Sequence, residues 1–327
     1  MAEKFIFSYI NQDREGIFRD MAATAGRQHQ IEFLPSHKTL PAGPAGVIEK
    51  AALSYRLNRI VPGDFLGVWG NLEQYPYQAD DIYHIVIPTT SIAKFSLHYL
   101  LRFRARHANV KLYALVTDSM HAESPHMQLV RRKLFSPVWE KVLTYDKYDA
   151  KEYGFTWFGY TYYSSFDFVR QDSRRADLYY SGYNKGNRET LVLDVLKSGK
   201  NAGAECRFDV VSDKPSAGGE LSYLKNRISY PEVVSRVKAS NCILEILQEG
   251  QQAQSIRYFE AIVYNKKLLT NNRHLKELPF YNSHFMRCFQ DASEIDWNWV
   301  KKPEDIDYQY DGCFSPVYLK KFVTGEP

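Results

Sequence analysis

The stretch NCILEILQEGQQAQSIRYFEAIVYNKKLLTNN, residues 241–272, joins an apolar run, a polar turn, a helical pattern and a second apolar run. The run CILEIL is typical of a buried strand, residues 254–265 place apolar side chains at helical spacing, and LLT resumes as a strand. This order predicts one βαβ unit of a parallel sheet. In such a unit the turn after the first strand and the start of the helix border the ligand crevice, where backbone N–H groups and the helix dipole favour an anion.

Arg257 and Glu260 lie three positions apart on the predicted helix, so their side chains share one face near its start. The cation could pair with a phosphate, and the carboxylate could accept hydrogen bonds from the hydroxyls of a ribose. The same spacing is typical of an ordinary ion pair on a solvated helix face. From spacing alone, the solvated ion pair is the favoured alternative.

Strands and helices alternate along the rest of the chain, which predicts an α/β protein with open, mostly parallel sheets. A length of 327 residues suits two domains, expected at residues 1–150 and 151–300, with a C-terminal tail at 301–327. The predicted strands include residues 4–10, 31–35, 64–69, 84–88, 110–116, 142–145, 176–181 and 205–211, and the predicted helices include 17–25, 91–107, 187–198 and 230–239.

The net charge of +4 favours anionic small molecules or a membrane surface over duplex nucleic acid, which needs a denser basic stripe. The four cysteines are widely spaced and form no CxxC motif, which argues against a metal or redox site. No signal peptide and no apolar run of about 18 residues are visible. These features predict a cytoplasmic protein with reduced thiols.

The stretch at residues 241–272 resembles the donor-binding unit of GT-B glycosyltransferases, in particular a bacterial group of lipopolysaccharide, capsule and exopolysaccharide biosynthesis proteins. The pattern of that group is roughly ILEI-Q-GQ-G-T-R-FEA---NKKLITNN, and the chain matches it at residues 243–246, 248, 250, 251, 257, 259–261 and 265–272. Two positions depart from it. Ala253 replaces a glycine, which stiffens the turn, and Ser255 replaces a threonine, which keeps the hydroxyl.

Two upstream segments extend the resemblance. Residues 135–163, FSPVWEKVLTYDKYDAKEYGFTWFGYTYY, resemble the segment that crosses between the two domains of the group. Residues 177–196, DLYYSGYNKGNRETLVLDVL, resemble its next strand and loop. The resemblance covers residues 135–272, less than half of the chain. The first half matches no motif of the group, and its assignment depends on its alternating strands and helices.

The resemblance implies a GT-B-like fold of two Rossmann-like domains with a cleft between them, an acceptor domain first and a donor domain second. The tail is expected to pack back toward the first domain. The implied reaction moves a hexosyl group from a nucleotide diphosphate sugar, a UDP-sugar first of all, to a lipid-linked or oligosaccharide acceptor of bacterial surface polysaccharide. Peripheral contact with the cytoplasmic face of the inner membrane is expected, and nucleic acid is not. No cofactor or metal is expected, because GT-B sites stabilise the leaving diphosphate with helix starts and cations.

The loop SGYNKGNR, residues 181–188, has two glycines that let backbone N–H groups approach a phosphate, but neither Walker nor GxGxxG spacing. Read by itself, it is an ordinary turn with solvated charges. Glu260 is expected to hold the ribose, and Arg257, with Lys185 or Arg188, to neutralise the diphosphate. The resemblance assigns these residues to the donor site: Gly182, Lys185, Arg188, Gln248, Glu249, Gly250, Gln251, Ser255, Arg257 and Glu260.

Two carboxylates of the first domain are candidate catalytic bases. Asp118 follows the predicted strand KLYALV, at the strand end where an open α/β sheet presents side chains, and His121 and His126 follow in the same loop. A carboxylate there could deprotonate an acceptor hydroxyl, as inverting transfer requires, or it could cap the next helix. Asp13, which follows the first strand beside Arg14, has the same two interpretations.

Two alternatives to a transferase stay open. The chain could be a catalytically silent GT-B-like subunit that binds polysaccharide precursors or a partner transferase. It could also be an enzyme that resembles the non-hydrolysing nucleotide-sugar epimerases, which have two Rossmann-like domains as well. No motif encodes the base or sugar of the donor, the acceptor, or the stereochemical outcome.

Overall fold

The computed structural model describes residues 1–9, 30–35, 43, 44, 47, 72–121, 125–159, 169–184, 188–212, 221, 223–226, 228–248 and 251–325. The strand expected at 64–69 and the helix expected at 17–25 lie outside these residues. The chain divides into two compact units. The first comprises Met1–Ser164 and Gly312–Pro327, and the second comprises Ser165–Asp311.

The elements are numbered here in chain order. The strands are β1 (Glu3–Tyr9), β2 (Ile31–Pro35), β3 (Ile82–Pro88), β4 (Val110–Val116), β5 (Lys141–Thr144), β6 (Thr156–Trp157), β7 (Ala176–Tyr183), β8 (Cys206–Val211), β9 (Tyr223–Leu224), β10 (Ser240–Glu245), β11 (Lys267–Thr270) and β12 (Met286–Cys288). The helices are α1 (Thr89–Ile92), α2 (Leu97–Arg106), α3 (Pro125–Leu134), α4 (Lys147–Tyr153), α5 (Arg188–Asn201), α6 (Tyr230–Lys238), α7 (Ile256–Val263), α8 (Trp297–Lys301) and α9 (Pro316–Thr324).

In the described residues, the first unit contains a six-stranded sheet in the order β2-β1-β3-β4-β5-β6, with every pairing parallel. The inner strands are buried on both faces, as parallel strands covered by helices must be. Burial of β4, for example, is complete or nearly so from Leu112 to Val116. The predicted strands at residues 31–35 and 110–116 are confirmed to the residue.

The single helix expected at residues 91–107 is wrong, because the structure has two helices there, α1 and α2. Ser96 begins the second helix, and its hydroxyl accepts the N–H of Tyr99 at 3.0 Å. At the break, the Lys133 ammonium donates to the carbonyl oxygens of Ile92 at 3.1 Å and Phe95 at 2.5 Å. A local N-cap and a cation on the freed carbonyls therefore outweigh the helical periodicity.

The segment after β5, which the sequence predicts to cross to the second domain, forms α4 and β6 in the first unit. Asp146 caps α4 by accepting the N–H groups of Tyr148 and Asp149. Gly154 ends this helix in the left-handed conformation, at φ +69°. Strand β6 then pairs with β5 at the edge of the sheet.

The second unit contains a six-stranded parallel sheet, within the described residues, in the order β12-β11-β10-β7-β8-β9. Counted within the unit, this is the strand order 3-2-1-4-5-6 of dinucleotide-binding Rossmann domains. The chain runs from β7 outward to β9 and returns to β10 on the other side of β7. The order therefore reverses between β7 and β10, and the loops that follow these two strands border the crevice.

The C-terminal segment returns to the first unit, where α9 packs on β1 and β2. Leu319 and Val323 of this helix are buried in one cluster with Phe5 and Phe7 of β1. The predicted α/β class with two Rossmann-like domains is confirmed by the two parallel sheets. No helix in the described part of the chain combines the length and the apolar character needed to cross a bilayer.

Candidate functional site

Hydrogen-bonded polar groups border the crevice between β7 and β10. Its floor is Glu245, the last residue of β10, which is 0% exposed. The carboxylate accepts the Ser255 N–H at 2.6 Å and the Thr270 hydroxyl at 2.7 Å, because Thr270 pairs with Glu245 in the parallel register. Burial raises the pKa of Glu245 despite these hydrogen bonds. Glu245 thus anchors the start of α7 to the sheet.

The loop between β10 and α7 is also held at its other end. The Asn271 side chain accepts the Leu247 N–H at 2.7 Å and donates to the Leu247 carbonyl at 3.3 Å. Asn271 directly follows β11, so this pair of bonds ties the loop to the neighbouring strand. A backbone fixed in this way can present N–H groups to a ligand without further ordering.

Gln251 connects this loop to the loop that follows β7. Its Oε1 accepts hydrogen bonds from Arg188 Nη2 and from the Gln248 N–H, both at 3.4 Å. Its Nε2 donates to the Ala253 carbonyl at 3.1 Å. Arg188 is the first residue of α5, so Gln251 joins the starts of two helices across the crevice.

The Arg188 guanidinium is largely enclosed, and burial lowers its pKa, although an arginine keeps its charge at any physiological pH. The charges of Arg188 and Arg257 both act on the buried hydroxyl of Tyr180, whose pKa is raised by burial. Gly182 lies against the same hydroxyl, and a Cβ at this position would be 2.6 Å from Tyr180 Oη. A side chain at this position would therefore displace the Tyr180 ring.

Helix α7 begins at the same edge of the sheet. Ser255 is its N-cap, and the Ser255 hydroxyl accepts the Arg257 N–H at 3.2 Å. Six consecutive residues, 257–262, are buried, so the helix is enclosed on all sides. Arg257 and Glu260 do form an ion pair, with Nη1 and Oε2 2.7 Å apart, but their side chains are only 10% and 0% exposed. The alternative of a solvated surface pair is wrong.

The structure brings six of the assigned residues to one crevice edge: Gly182, Arg188, Gln248, Gln251, Ser255 and Arg257. Glu260 lies one helical turn below this edge, fully buried. Lys185, Glu249 and Gly250 lie outside the described residues. Sequence reasoning assigned no role to Glu245, Thr270 and Asn271. The signal was present, because all three are polar residues inside the matched motif and beside apolar runs.

In the first unit, Asp118 lies just beyond the end of β4 and is half-buried. The next helix, α3, begins at Pro125, so Asp118 does not occupy its N-cap position and that alternative is wrong. The preceding residue, Thr117, is tied to Thr89 after β3, with the two hydroxyl oxygens 2.8 Å apart. Asp118 is thereby held at the carboxyl edge of the sheet, where such folds place reacting groups.

Charged groups contact Met120 and His121 in the loop that carries Asp118. The Met120 N–H donates to Asp149 Oδ2 at 2.7 Å, and Arg131 Nε donates to the Met120 carbonyl at 2.7 Å. His121 pairs with Glu152, with Nε2 and Oε2 3.2 Å apart. His126 lies in the first turn of α3. Asp13 lies outside the described residues, and no group of three or more His, Cys, Asp or Glu within those residues is placed to hold a metal ion.

The buried Asp149 carboxyl should make the stability of the protein depend on pH. Burial raises the pKa of Asp149 to about 6, although the hydrogen bond from the Met120 N–H acts to lower it. The folded protein thus holds this proton more tightly than the unfolded chain, and the stability gained is full below pH 3.8 and lost as pH rises through about 6. Between pH 4 and pH 7.5, the free energy of unfolding of the unmodified protein should therefore fall by about 1–2 kcal/mol more than that of Asp149→Asn, which has no carboxyl to titrate.

Urea unfolding of both proteins across this pH range measures the difference. The exposed Asp291, whose pKa is lowered by Ser293, provides a control of opposite sign. Asp291→Asn should lack the stabilisation that the Asp291 carboxylate gives the folded protein at neutral pH. Parallel stability curves for Asp149→Asn and the unmodified protein would show that the Asp149 carboxyl does not titrate as described.

No protein-family model and no curated protein matches this chain. Among solved structures, the chain is similar to the glycosyltransferase SnogD from Streptomyces nogalater, with 11% identity over 100% of this chain and 99% of that chain and a TM-score of 0.46. It is similar to UDP-GlcNAc 2-epimerase from Neisseria meningitidis bound to UDP-GlcNAc, with 8% identity over 99% of each chain and a TM-score of 0.45. It is also similar to a ugt transferase from Siraitia grosvenorii in complex with UDP, with 8% identity over 99% of this chain and 94% of that chain and a TM-score of 0.40.

Proposed function

We propose that this chain is a GT-B-type glycosyltransferase that moves a hexosyl group from a nucleotide diphosphate sugar, a UDP-sugar first of all, to a glycan acceptor of bacterial surface polysaccharide. The acceptor would be a lipid-linked glycan or an oligosaccharide. The enzyme would work in the cytoplasm, with peripheral contact at the inner membrane face. The motif at residues 241–272 and the Rossmann strand order of the second unit support the proposal.

The observation that carries the proposal is the pair of arginines at the reversal of strand order. Arg188 begins the helix after β7, and Arg257 lies in the first turn of the helix after β10. Both charges act on the Tyr180 hydroxyl, and Gln251 links the two loops. Two guanidinium groups beside two helix starts form a site suited to a diphosphate, because guanidinium matches phosphate in a planar, bidentate way.

In the proposed reaction, an acceptor hydroxyl attacks the anomeric carbon, the bond from that carbon to the diphosphate oxygen breaks, and the hydroxyl proton passes to a carboxylate. Arg188, Arg257 and the start of α7 stabilise the negative charge that develops on the leaving diphosphate. Lys185 is proposed to assist them. Asp118 is the proposed base for inverting transfer, and Asp13 is the second candidate.

A panel of nucleotides and nucleotide sugars tests the function. UDP, GDP, dTDP and ADP are compared by thermal shift, since a ligand that binds only the folded protein raises its melting temperature. UDP is expected to give the largest shift. Transfer from the corresponding labelled sugar nucleotides is then measured with a membrane glycan extract as acceptor. Binding without turnover would support the silent subunit, epimerisation without transfer would support the epimerase-like alternative, and no binding at all would contradict the proposal.

We predict that the transfer needs no divalent cation, because the two arginines supply the charge that a metal supplies elsewhere. Turnover in 5–10 mM EDTA is expected to stay within about twofold of turnover in Mg²⁺. The measurement is the initial rate with and without chelator. Activity that disappears in EDTA and returns with Mg²⁺ or Mn²⁺ would sink the prediction.

A further inference from the structure

Glu260 has both carboxylate oxygens engaged within the protein. Oε1 accepts the Tyr230 hydroxyl at 2.9 Å, and Oε2 lies 2.7 Å from Arg257 Nη1. The residue is 0% exposed. A ligand hydroxyl could reach this carboxylate only after helix α7 had moved or one of the two partners had left.

Tyr230 belongs to a different helix from Glu260. It is the first residue of α6, behind the N-cap Ser229, and it is 3% exposed. Helix α6 precedes β10, so its start lies at the same carboxyl edge of the sheet as the start of α7. The Tyr230 hydroxyl therefore connects the start of α6 to the middle of α7 through the Glu260 carboxylate.

We propose that Glu260 and Tyr230 are positioning residues for Arg257, fixing its guanidinium at the crevice rather than binding the ligand themselves. The proposal rests on the function proposed above, in which Arg257 binds the donor diphosphate. An arginine side chain has many rotamers, and ordering it on binding would weaken the affinity for the ligand. A buried carboxylate opposite the guanidinium removes most of these rotamers in advance, and the Tyr230 hydroxyl fixes the plane of that carboxylate.

This role differs from the one that the resemblance implies for Glu260, which is to accept hydrogen bonds from the ribose. The two roles predict different patterns of ligand affinity. A ribose contact is present in a nucleoside and absent in inorganic pyrophosphate. A contact that acts through Arg257 affects the affinity for pyrophosphate and for the nucleoside diphosphate, but not the affinity for the nucleoside.

The experiment uses Tyr230→Phe, which removes one hydroxyl, and Glu260→Gln, which keeps the shape of the side chain. Binding of UDP, inorganic pyrophosphate and uridine is measured by calorimetry, or by ligand-observed NMR where affinity is low. If the panel selects another base, the matching nucleoside and diphosphate are used. We expect the affinity for UDP and pyrophosphate to fall by about 5- to 30-fold in both variants, the scale of a lost hydrogen bond to a charged group, and that for uridine to change by less than about twofold.

Tyr308→Phe is the matched control. Tyr308 is a buried tyrosine of the same unit, and its hydroxyl donates to the Lys266 carbonyl at 3.0 Å, just before β11 begins. Tyr308→Phe thus removes a tyrosine hydroxyl, as Tyr230→Phe does, but at the opposite edge of the sheet. We expect the affinities for UDP, pyrophosphate and uridine to stay within about twofold of those of the unmodified protein. In addition, Tyr230→Phe should add little to the effect of Arg257→Lys, because both changes act on one guanidinium.

The outcomes separate the two proposals. Equal losses for uridine and UDP in Glu260→Gln would assign the carboxylate to the ribose and overturn the positioning role. Unchanged UDP and pyrophosphate affinity in a folded Tyr230→Phe protein would overturn it as well, while leaving the transferase proposal intact. If the unmodified protein binds no nucleotide, the proposed function itself fails, and the inference fails with it.

Discussion

Replacing Asp118 with asparagine is expected to lower kcat by about 10²- to 10⁴-fold, the contribution of a general base in proton transfer. The change keeps the size of the side chain but removes its ability to take the acceptor proton. Affinity for UDP should stay the same, because the nucleotide is proposed to bind the second unit. The melting temperature should change little, because Asp118 does not cap helix α3, which begins at Pro125.

Measurements of kcat, UDP affinity and melting temperature on this one variant test the assignment. Glu152→Gln is the control, because Glu152 is an exposed carboxylate at the same edge of the sheet that pairs with His121. Its turnover should match that of the unmodified enzyme. Near-normal turnover in Asp118→Asn would exclude Asp118 as the base and make Asp13 the next residue to replace.

The second large effect is expected from Arg257→Lys. Lysine keeps the positive charge opposite the buried Glu260, so α7 should still fold. A lysine ammonium cannot reproduce the planar, bidentate contact of a guanidinium with a phosphate. UDP affinity is therefore expected to fall by about 10- to 100-fold, which corresponds to about 1.4–2.8 kcal/mol. The rate of transfer should fall too, because the same contact stabilises the leaving diphosphate.

Calorimetry with UDP and initial rates of transfer measure these effects. Arg287→Lys is the control, because Arg287 pairs with Asp296 at the surface of the same unit, where the two side chains are 40% and 49% exposed. An exposed pair of this kind contributes little to stability. UDP binding that is equally strong in Arg257→Lys and in the control would exclude a bidentate contact between Arg257 and the phosphate.

Some strands of the fold could be predicted because their hydrophobic runs are short, continuous and bounded by turn residues. Strands β2 and β4 illustrate this, since IEFLP and VKLYALV have the bounds that the sequence predicts. The break between α1 and α2 could not be predicted from periodicity, because it depends on Lys133 as well as on the local N-cap Ser96. Lys133 is far along the chain and bonds to the carbonyls of Ile92 and Phe95 at the break. Periodicity records only local neighbours, so a distant cation that ends a helix leaves no mark in it.

In the candidate site too, local patterns could be predicted and contacts between distant segments could not. The positions at the ends of β7 and β10 could be predicted from the motif, because its spacing determines which residues follow a strand and begin a helix. The enclosure of Arg257 and Glu260 could not be predicted, since a charged pair three residues apart suggests a solvated helix face. Tyr230, which donates to Glu260 on that face, belongs to a helix that precedes β10. A tyrosine at the start of a helix has no sequence signal that distinguishes it from a core aromatic.

Helix α9 has a consequence for biosynthesis. Its Leu319 and Val323 complete the core around Phe5 and Phe7, which are made more than 300 residues earlier. On the ribosome, the second unit therefore has all its strands before the first unit receives its last helix. Until then, the apolar surface that β1 presents to α9 is open to water and to chaperones. A released chain that ends at Asp311 should accordingly show a protease-resistant second unit and a first unit that is still sensitive to digestion.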